Sequence, residues 1–349
     1  MGLLDLFAQF GVLGFPIIAV VAWNRGWPRQ RTYLTLAAFW AVVFAASMYR
    51  HPGDDRDGWR NFWIAFALIG VLAIIYGEGV RALRRRKAVE PVPVPVTGTV
   101  REAELDRYAR HIILREIGGP GQKRLKGAKV LVVGAGGLGS PVLLYLAAAG
   151  VGTIGVIDDD VVEGSNLQRQ VIHTDGRIGM PKVFSAEVAM RALNPFIEVR
   201  PYHRRLTEEI AVGLVRDHDL VLDGTDDFDT RYLVNRACVA ARVPLISGAI
   251  TQWEGQVSLF DPAKGGPCYA CVFPVKPAPG LVPTCAEAGV AAPLPGVIGG
   301  MMAMEAVKWI TGAGETLAGR LMIHDGLYME TRVITVKKRA DCEVCGGQH

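Results

Sequence analysis

The stretch Val130-Leu-Val-Val-Gly134-Ala-Gly136-Gly137-Leu-Gly139-Ser140 is followed by Thr153-Ile-Gly-Val-Ile157-Asp158-Asp-Asp160, then Ser165-Asn166-Leu-Gln168-Arg169-Gln170, and finally Lys182. The β-branched run Lys129–Val133 predicts a strand, and the apolar run 141–149 predicts a helix, so the glycines fall between strand and helix. There a glycine loop lets the backbone turn tightly and approach an anion, and the helix N-terminus presents free N–H groups to a phosphate. Gly134, Gly136, Gly137 and Gly139 are therefore candidate nucleotide-binding residues. A second strand, Thr153–Ile157, ends at Asp158, an acid placed to accept ribose hydroxyls. This much fits a nicotinamide-dependent dehydrogenase equally well.

The next turn separates the readings. Asn166 and Arg169 lie three positions apart, and one turn of chain aims both at one point. Lys182 follows Gly179-Met-Pro181 at the predicted start of a helix. A redox cofactor gains nothing from two strong cations here. A site that breaks the bond between the α- and β-phosphates must stabilise charge developing on pyrophosphate, and those cations suit that task. A further strand, Leu220–Asp223, runs into Gly224-Thr225-Asp226-Asp227, where carboxylates at a strand end suit Mg²⁺ held together with phosphate oxygens. A carboxylate nucleophile is already ionised at neutral pH, so no general base is required. A helix near 296–311 and strands at 320–325 and 328–336 complete the expected fold. That fold is α/β: a Rossmann-like mixed sheet, largely parallel in its first half, with helices on both faces.

Six cysteines include the pairs Cys268/Cys271 and Cys342/Cys345, 71 positions apart between inner members. Two such knuckles make a Cys₄ set suited to structural Zn²⁺, clipping a loop to a distant segment. Redox activity is the alternative. Cys285 stands in a Pro/Gly-rich stretch opened by Pro277, Pro279, Gly280 and Pro283, where either a covalent role or a plain loop cysteine is open. Cys238 lies at helical spacing within an apolar run and reads as core.

Composition is half hydrophobic, and the net charge of +4 is unevenly spread. Residues 1–100 carry 11 Lys/Arg against 6 Asp/Glu, whereas the remainder carries 27 against 28, which excludes a basic nucleic-acid-binding footprint on the globular part. Three apolar runs occupy the first part: 6–23, 32–49 and from Trp59 or Phe62 to 76. The second run, and the third from Phe62 onward, hold no internal charge, and both carry Trp or Tyr at their ends, as transmembrane helices do. Two or three spans are expected in residues 1–87. Arg25, Arg29 and Arg31 in the first loop, and Arg81, Arg84, Arg85, Arg86 and Lys87 after the third run, put those segments in the cytoplasm by the positive-inside rule. The expected location is therefore a multi-pass inner (cytoplasmic) membrane protein with a cytoplasmic catalytic domain. Pro91-Val-Pro93-Val-Pro95 makes 88–100 a semi-rigid linker to a domain at 101–349.

Arg107-Tyr-Ala-Arg110-His-Ile-Ile-Leu, the GAGGLGS loop, SNLQRQ, GMPK, GTDD, Cys268-Tyr-Ala-Cys271, Thr284-Cys285-Ala-Glu-Ala-Gly289-Val and Cys342-Glu-Val-Cys345-Gly346 occur in this order. Together they resemble the E1-like adenylyltransferases of molybdopterin and thiamin biosynthesis, the MoeB/ThiF/HesA family, from about Arg107 onward. The resemblance implies ATP-dependent adenylation of the C-terminal glycine of a ubiquitin-like sulfur-carrier protein ending in Gly-Gly. It also implies ATP or Mg²⁺ contacts by Gly137, Asp158, Asn166, Arg169, Lys182 and Asp226. Arg110 would reach into the neighbouring subunit's site of a homodimer, and Cys285 would be able to form a thioester or acyl disulfide with the carrier. The chain departs from the family pattern in Asp227, where Asn is usual, in Gly224, where Cys is usual, and in its N-terminal apolar runs. Two rival readings stand beside this one: the dehydrogenase, and a membrane-anchored scaffold that binds a ubiquitin-like tail without activating it.

Overall fold

A computed structural model describes residues 14–22, 25, 27, 29–50, 55–86, 102–277 and 288–346. The chain divides into two compact units, Met1–Glu90 and Pro91–His349.

In the first unit, residues 14–22 are helical, followed by α1 (Arg29–Arg50) and α2 (Asp55–Arg86). Within these helices Gln30–Tyr49 and Gly58–Gly79, 20 and 22 residues long, have the length and hydropathy needed to cross a bilayer. Only 6% of the second stretch is buried, so its apolar side chains are not packed as a soluble core helix would be. Contacts between α1 and α2 are few but specific. Tyr33 donates to Glu78 Oε1 at 3.1 Å, and Trp40 Nε1 donates to the Trp63 carbonyl at 3.2 Å. Val43, Ala46 and Trp63 are buried there. Half of the first apolar run expected from the sequence, 6–13 and 23, and all of the linker 88–100, lie outside the described residues.

The second unit is built on one eight-stranded sheet of order β3-β2-β1-β4-β5-β6-β7-β8. Its elements, in chain order, are α3 (Glu102–Ile113), α4 (Gly118–Gly127), β1 (Lys129–Val133), α5 (Gly139–Ala149), β2 (Thr153–Ile157), α6 (Lys182–Leu193) and β3 (Glu198–Tyr202). They continue through α7 (Glu208–Arg216), β4 (Leu220–Asp223), α8 (Phe228–Ala241), β5 (Leu245–Ile250), β6 (Glu254–Phe260) and the single turn α9 (Tyr269–Val272). The last three are α10 (Leu294–Thr311), β7 (Arg320–Asp325) and β8 (Glu330–Thr335). The first five strands in space, β3 to β5, pair in parallel, and β5 through β8 pair antiparallel. The expected mixed Rossmann-like sheet is therefore present, with small shifts: α10 starts two residues before Gly296, and β8 is shorter than 328–336.

Apolar runs on both faces of the central strands explain the layering, because a parallel sheet buried on both sides needs helices on both sides. Val130, Val132, Ile154 and Leu222 pack with Val142, Leu146, Met190 and Met302 on one face. Leu131, Val133, Ile157 and Val221 pack with Leu214, Val234 and Cys238 on the other. Cys238 is thus core, as its spacing predicts. Between β1 and β4 the order of connections reverses, since β1 is followed in sequence by β2 on one side and flanked by β4 on the other. Such a switch point opens a crevice at the C-terminal ends of the strands, where ligands of this architecture bind.

Candidate active site

The crevice is lined by the glycine loop. Val133, the last residue of β1, is in register with Asp223, the last of β4, so the two strand ends lie side by side. Gly134 has φ +92, a left-handed conformation that a side chain disfavours, and its N–H donates to the Ile157 carbonyl at 2.9 Å. A Cβ on Gly139 would sit 2.0 Å from the Gly134 carbonyl oxygen, so the loop curls onto the first turn of α5 only because that Cβ is missing. The start of α5 faces Gly224 of the neighbouring strand end, whose Cβ would meet Leu138 Cβ at 3.0 Å.

Asp158 ties this loop to the adjacent strand. Its Oδ2 accepts from Ala135 N–H and its Oδ1 from Asp160 N–H, both at 2.8 Å. Burial pushes its carboxyl above the ordinary range, against the pull of the Ala135 N–H and of Lys182. The other end of the Ala135 peptide is held by His173, whose Nε2 lies 2.9 Å from the Ala135 carbonyl while Nδ1 lies 2.9 Å from Ser185 Oγ on α6. A carbonyl can only accept, so Nε2 carries the proton and Nδ1 accepts from Ser185. Burial holds His173 below its usual pKa, which keeps the ring neutral in this role. Sequence reasoning missed His173, because its partners are a backbone carbonyl 38 positions away and a helix not yet placed.

The two cations arrive from separate turns. Lys182 opens α6 and is buried. Its Nζ lies 2.6 Å from Asp160 Oδ2, and the Asp158, Asp159 and Asp160 carboxylates lie within 4.8 Å of one another. Arg169 Nη2 donates to Asn166 Oδ1 at 2.8 Å, so the pair three positions apart does converge. Arg169 also runs beside the loop, since a Cβ on Gly137 would lie 3.8 Å from its Cγ. Gly134 to Gly139, Asp158, Asn166, Arg169 and Lys182 are therefore brought to one end of the sheet by these contacts.

The two carboxylates after β4 part company. Asp227 is the N-cap of α8: its oxygens accept from the Asp229 and Thr230 N–H groups and, at 2.6 Å, from the Thr230 hydroxyl. Burial alone would raise its pKa, but these hydrogen bonds and Arg205 outweigh it and lower the value. A capping carboxylate of this kind has little capacity left for a metal. Asp226 is exposed and caps no helix. The turn that carries it is anchored from below by fully buried Asp223, which accepts from Thr225 N at 3.0 Å, Thr225 Oγ1 at 2.7 Å and Ser247 Oγ at 3.2 Å. Arg231, also buried, approaches Asp223 at 3.9 Å and donates to the Gly248 and Thr225 carbonyls. Arg110 lies exposed on α3 and makes no hydrogen bond or ion pair to these groups among the described residues. Cys285 lies outside the described residues.

The four remaining predicted ligands form a second centre. Cys268, Cys271, Cys342 and Cys345 are all buried, with Sγ separations of 3.9 Å (268–271), 3.6 Å (268–342) and 3.4 Å (271–345). Tetrahedral Zn²⁺ with Zn–S bonds of about 2.3 Å requires S···S edges of about 3.8 Å, so the donor set fits zinc. Arg339 N–H points at Cys271 Sγ at 3.4 Å and Asn235 Nδ2 at Cys268 Sγ at 3.7 Å, the outer hydrogen bonds expected around thiolates. Separations this long exclude disulfide bonding among these sulfurs.

A model of the ThiF family matches residues 108–344. The sulfur carrier protein adenylyltransferase of Thermus thermophilus is 51% identical over 249 residues, covering 70% of this chain and 92% of that protein. The probable adenylyltransferase/sulfurtransferase MoeZ of Mycobacterium tuberculosis is 51% identical over 254 residues, 72% of this chain and 64% of that protein, so the chain spans just under two thirds of it. Among solved structures, the crystal structure of E. coli MccB with ATP superposes with a TM-score of 0.61 at 25% identity, covering 71% of this chain and 75% of that one.

Proposed function

Because the chain belongs to the ThiF family, we propose that it uses ATP to adenylate the C-terminal glycine of a ubiquitin-like sulfur-carrier protein. The observation that supports this reading is Arg169, paired with Asn166, running beside the glycine loop, while Asp158 links that loop to Asp160, the partner of buried Lys182. The carrier's carboxylate oxygen attacks the α-phosphorus of ATP, the bond from that phosphorus to the bridging oxygen breaks, and pyrophosphate leaves with the electron pair. The loop N–H groups and the helix start of α5 hold phosphates, Asp158 faces the ribose, and Arg169 and Lys182 neutralise the growing charge on pyrophosphate. Buried Lys182 must exchange the exposed Asp160 carboxylate for phosphate oxygens, which replace the charge partner it gives up. Mg²⁺ would be held by Asp226 and would further offset phosphate charge. Zn²⁺ would be held by the four cysteines and would be structural. Cys285 as a covalent acceptor, and Arg110 acting across a homodimer, belong to the same reading through the family's motifs.

In this reading residues 101–349 are the adenylyltransferase domain, 88–100 a linker and 1–87 a membrane region. Two long apolar helices, mostly unburied and ending in the basic block 81–87, support an integral membrane protein with its catalytic domain in the cytoplasm. Full-length protein should remain in the membrane pellet after an alkaline carbonate wash; release into the supernatant would end the membrane reading. The activity is tested by exchange of labelled pyrophosphate into ATP, with and without a Gly-Gly-terminated carrier, in wild type and Arg169→Ala. Carrier-dependent exchange that vanishes in the variant is expected. ATP binding without exchange for any carrier would instead favour a scaffold that holds a ubiquitin-like tail and does not activate it.

A further inference from the structure

Tyr33, near the start of α1, donates to Glu78 Oε1, near the end of α2, so one hydrogen bond pins these two helix ends together. With the Trp40–Trp63 contact it makes the pair antiparallel. Beyond the bond each helix continues into arginines. At helical spacing Arg29 lies on the Tyr33 stripe of α1, one turn earlier, and Arg81 and Arg85 lie on the Glu78 stripe of α2, one and two turns later. At a rise of about 1.5 Å per residue, Arg29 stands about 6 Å past Tyr33 and Arg81 about 5 Å past Glu78, so their backbones reach one level. Aromatic residues mark that level: half-buried Trp27, with Arg31 stacked 4.3 Å from its ring centroid, and exposed Tyr76 two residues before Glu78. Such rings sit where acyl chains meet headgroups. Residues 24–36 and 77–87 hold eight Lys/Arg against one acid, Glu78, so the cluster has no internal counter-charge of its own size. Positive-inside topology calls for basic residues at this end, but not for their alignment on facing stripes. Facing like charges repel, and an anion between them reverses the sign.

Resting on the membrane reading, we propose that Arg29, Arg81 and Arg85 form a binding site for the phosphodiester headgroup of an anionic phospholipid in the cytoplasmic leaflet. The Tyr33–Glu78 bond holds the two helix ends at the spacing the headgroup bridges. A lipid suits the site better than a free phosphate, because the cluster ends two apolar stretches, Gln30–Tyr49 and Gly58–Gly79. Leu34, Leu72 and Ile75 are exposed near it, and acyl chains would cover them.

The test is native mass spectrometry of full-length protein in detergent, titrated with phosphatidylglycerol, phosphatidylcholine or inorganic phosphate. Alongside it, the protein is floated with vesicles of phosphatidylcholine, with or without an equal part of phosphatidylglycerol. Phosphatidylglycerol should bind about tenfold more tightly than phosphatidylcholine. Arg81→Gln with Arg85→Gln should abolish that preference. Arg84→Gln with Arg86→Gln removes the same charge away from the Glu78 stripe and should keep it. Tyr33→Phe leaves every charge in place and should lower the preference severalfold. Equal loss in the two double variants would show diffuse attraction by the basic block and overturn the site. Displacement of phosphatidylglycerol by inorganic phosphate would identify a free-anion site and overturn the lipid assignment. If the Arg81/Arg85 variant fails to insert, Tyr33→Phe decides alone, and an unchanged preference there overturns the proposal. If wild type floats with neither vesicle, the membrane reading fails and takes this site with it. Flotation with both vesicles but no preference between the lipids keeps that reading and ends this one.

Discussion

The nucleotide crevice and the four-cysteine centre are both assembled from residues far apart in sequence, yet they are built on opposite principles. The crevice holds its cations in interim pairs: Lys182 with an exposed Asp160, Arg169 with Asn166. In each case an incoming anion can take the partner's place. The cysteine centre is closed, with all four cysteines buried, three sulfur separations of 3.4 to 3.9 Å and all four sulfurs within 4.8 Å of one another. A site that must bind, react and release keeps its groups loosely satisfied. One that only holds the chain together satisfies them fully.

The contrast is open to attack by mutation. Arg169→Ala or Lys182→Ala should lower carrier-dependent pyrophosphate exchange by roughly a thousandfold, about 4 kcal/mol of transition-state stabilisation, with an unchanged melting temperature. A melting temperature that fell with activity would place these cations among the structural residues. Cys345→Ser, or prolonged treatment with a zinc chelator, should act the other way round. It should remove roughly 3 kcal/mol of stability by releasing the loop the metal closes, while exchange per folded molecule stays near wild type. Metal analysis of the purified protein should return one zinc per chain.

Two adjacent carboxylates sharpen the same division. Asp226→Asn should reduce exchange at limiting Mg²⁺ without altering stability. Asp227→Ala removes the N-cap of α8 and should cost about 1 kcal/mol, a shift of a few degrees in melting temperature, with the Mg²⁺ dependence unchanged. The smallest effect is pH-dependent. His173 and His218 both have pKa values lowered by burial, so the folded state prefers them neutral. Their contribution to stability is complete above the unfolded value near 6.5. It declines as pH falls from there toward the lowered native values, because the unfolded chain takes up protons first. Urea midpoints measured between pH 8 and pH 5 should show the decline, and His173→Asn should flatten part of it.

Much of the crevice was legible in the sequence because its parts are local. The run from Lys129 to Gly139 declares strand, turn and helix within a dozen residues, and the Asn166–Arg169 spacing is met within one turn. The cysteine pairs were legible through chemistry alone, since thiols at two-residue spacing have few other uses. What escaped was the tertiary support. Asp223 and Arg231 meet through Ser247 on a third element, and His173 is explained only once β1 and α6 are in place. Asp227 misled for the opposite reason. Its chemistry suits a metal, but a carboxylate immediately before Phe228 at a helix start is taken first by the helix.

The clip between Cys268/Cys271 and Cys342/Cys345 also sets an order of events during synthesis. The nucleotide crevice, from Lys129 to Asp226, is translated before the first knuckle, whereas the second knuckle leaves the ribosome some 70 residues later. Until then the early cysteine pair can offer a metal only two thiols, and two-coordinate zinc is readily lost to any stronger chelator in the cell. On the proposed zinc reading, a growing chain should therefore form its glycine loop early, close the four-cysteine centre last, and be most vulnerable to proteolysis in the interval between. Stalled nascent chains ending before and after Cys345 would differ sharply in protease resistance, a signature of the clip that the finished protein no longer displays.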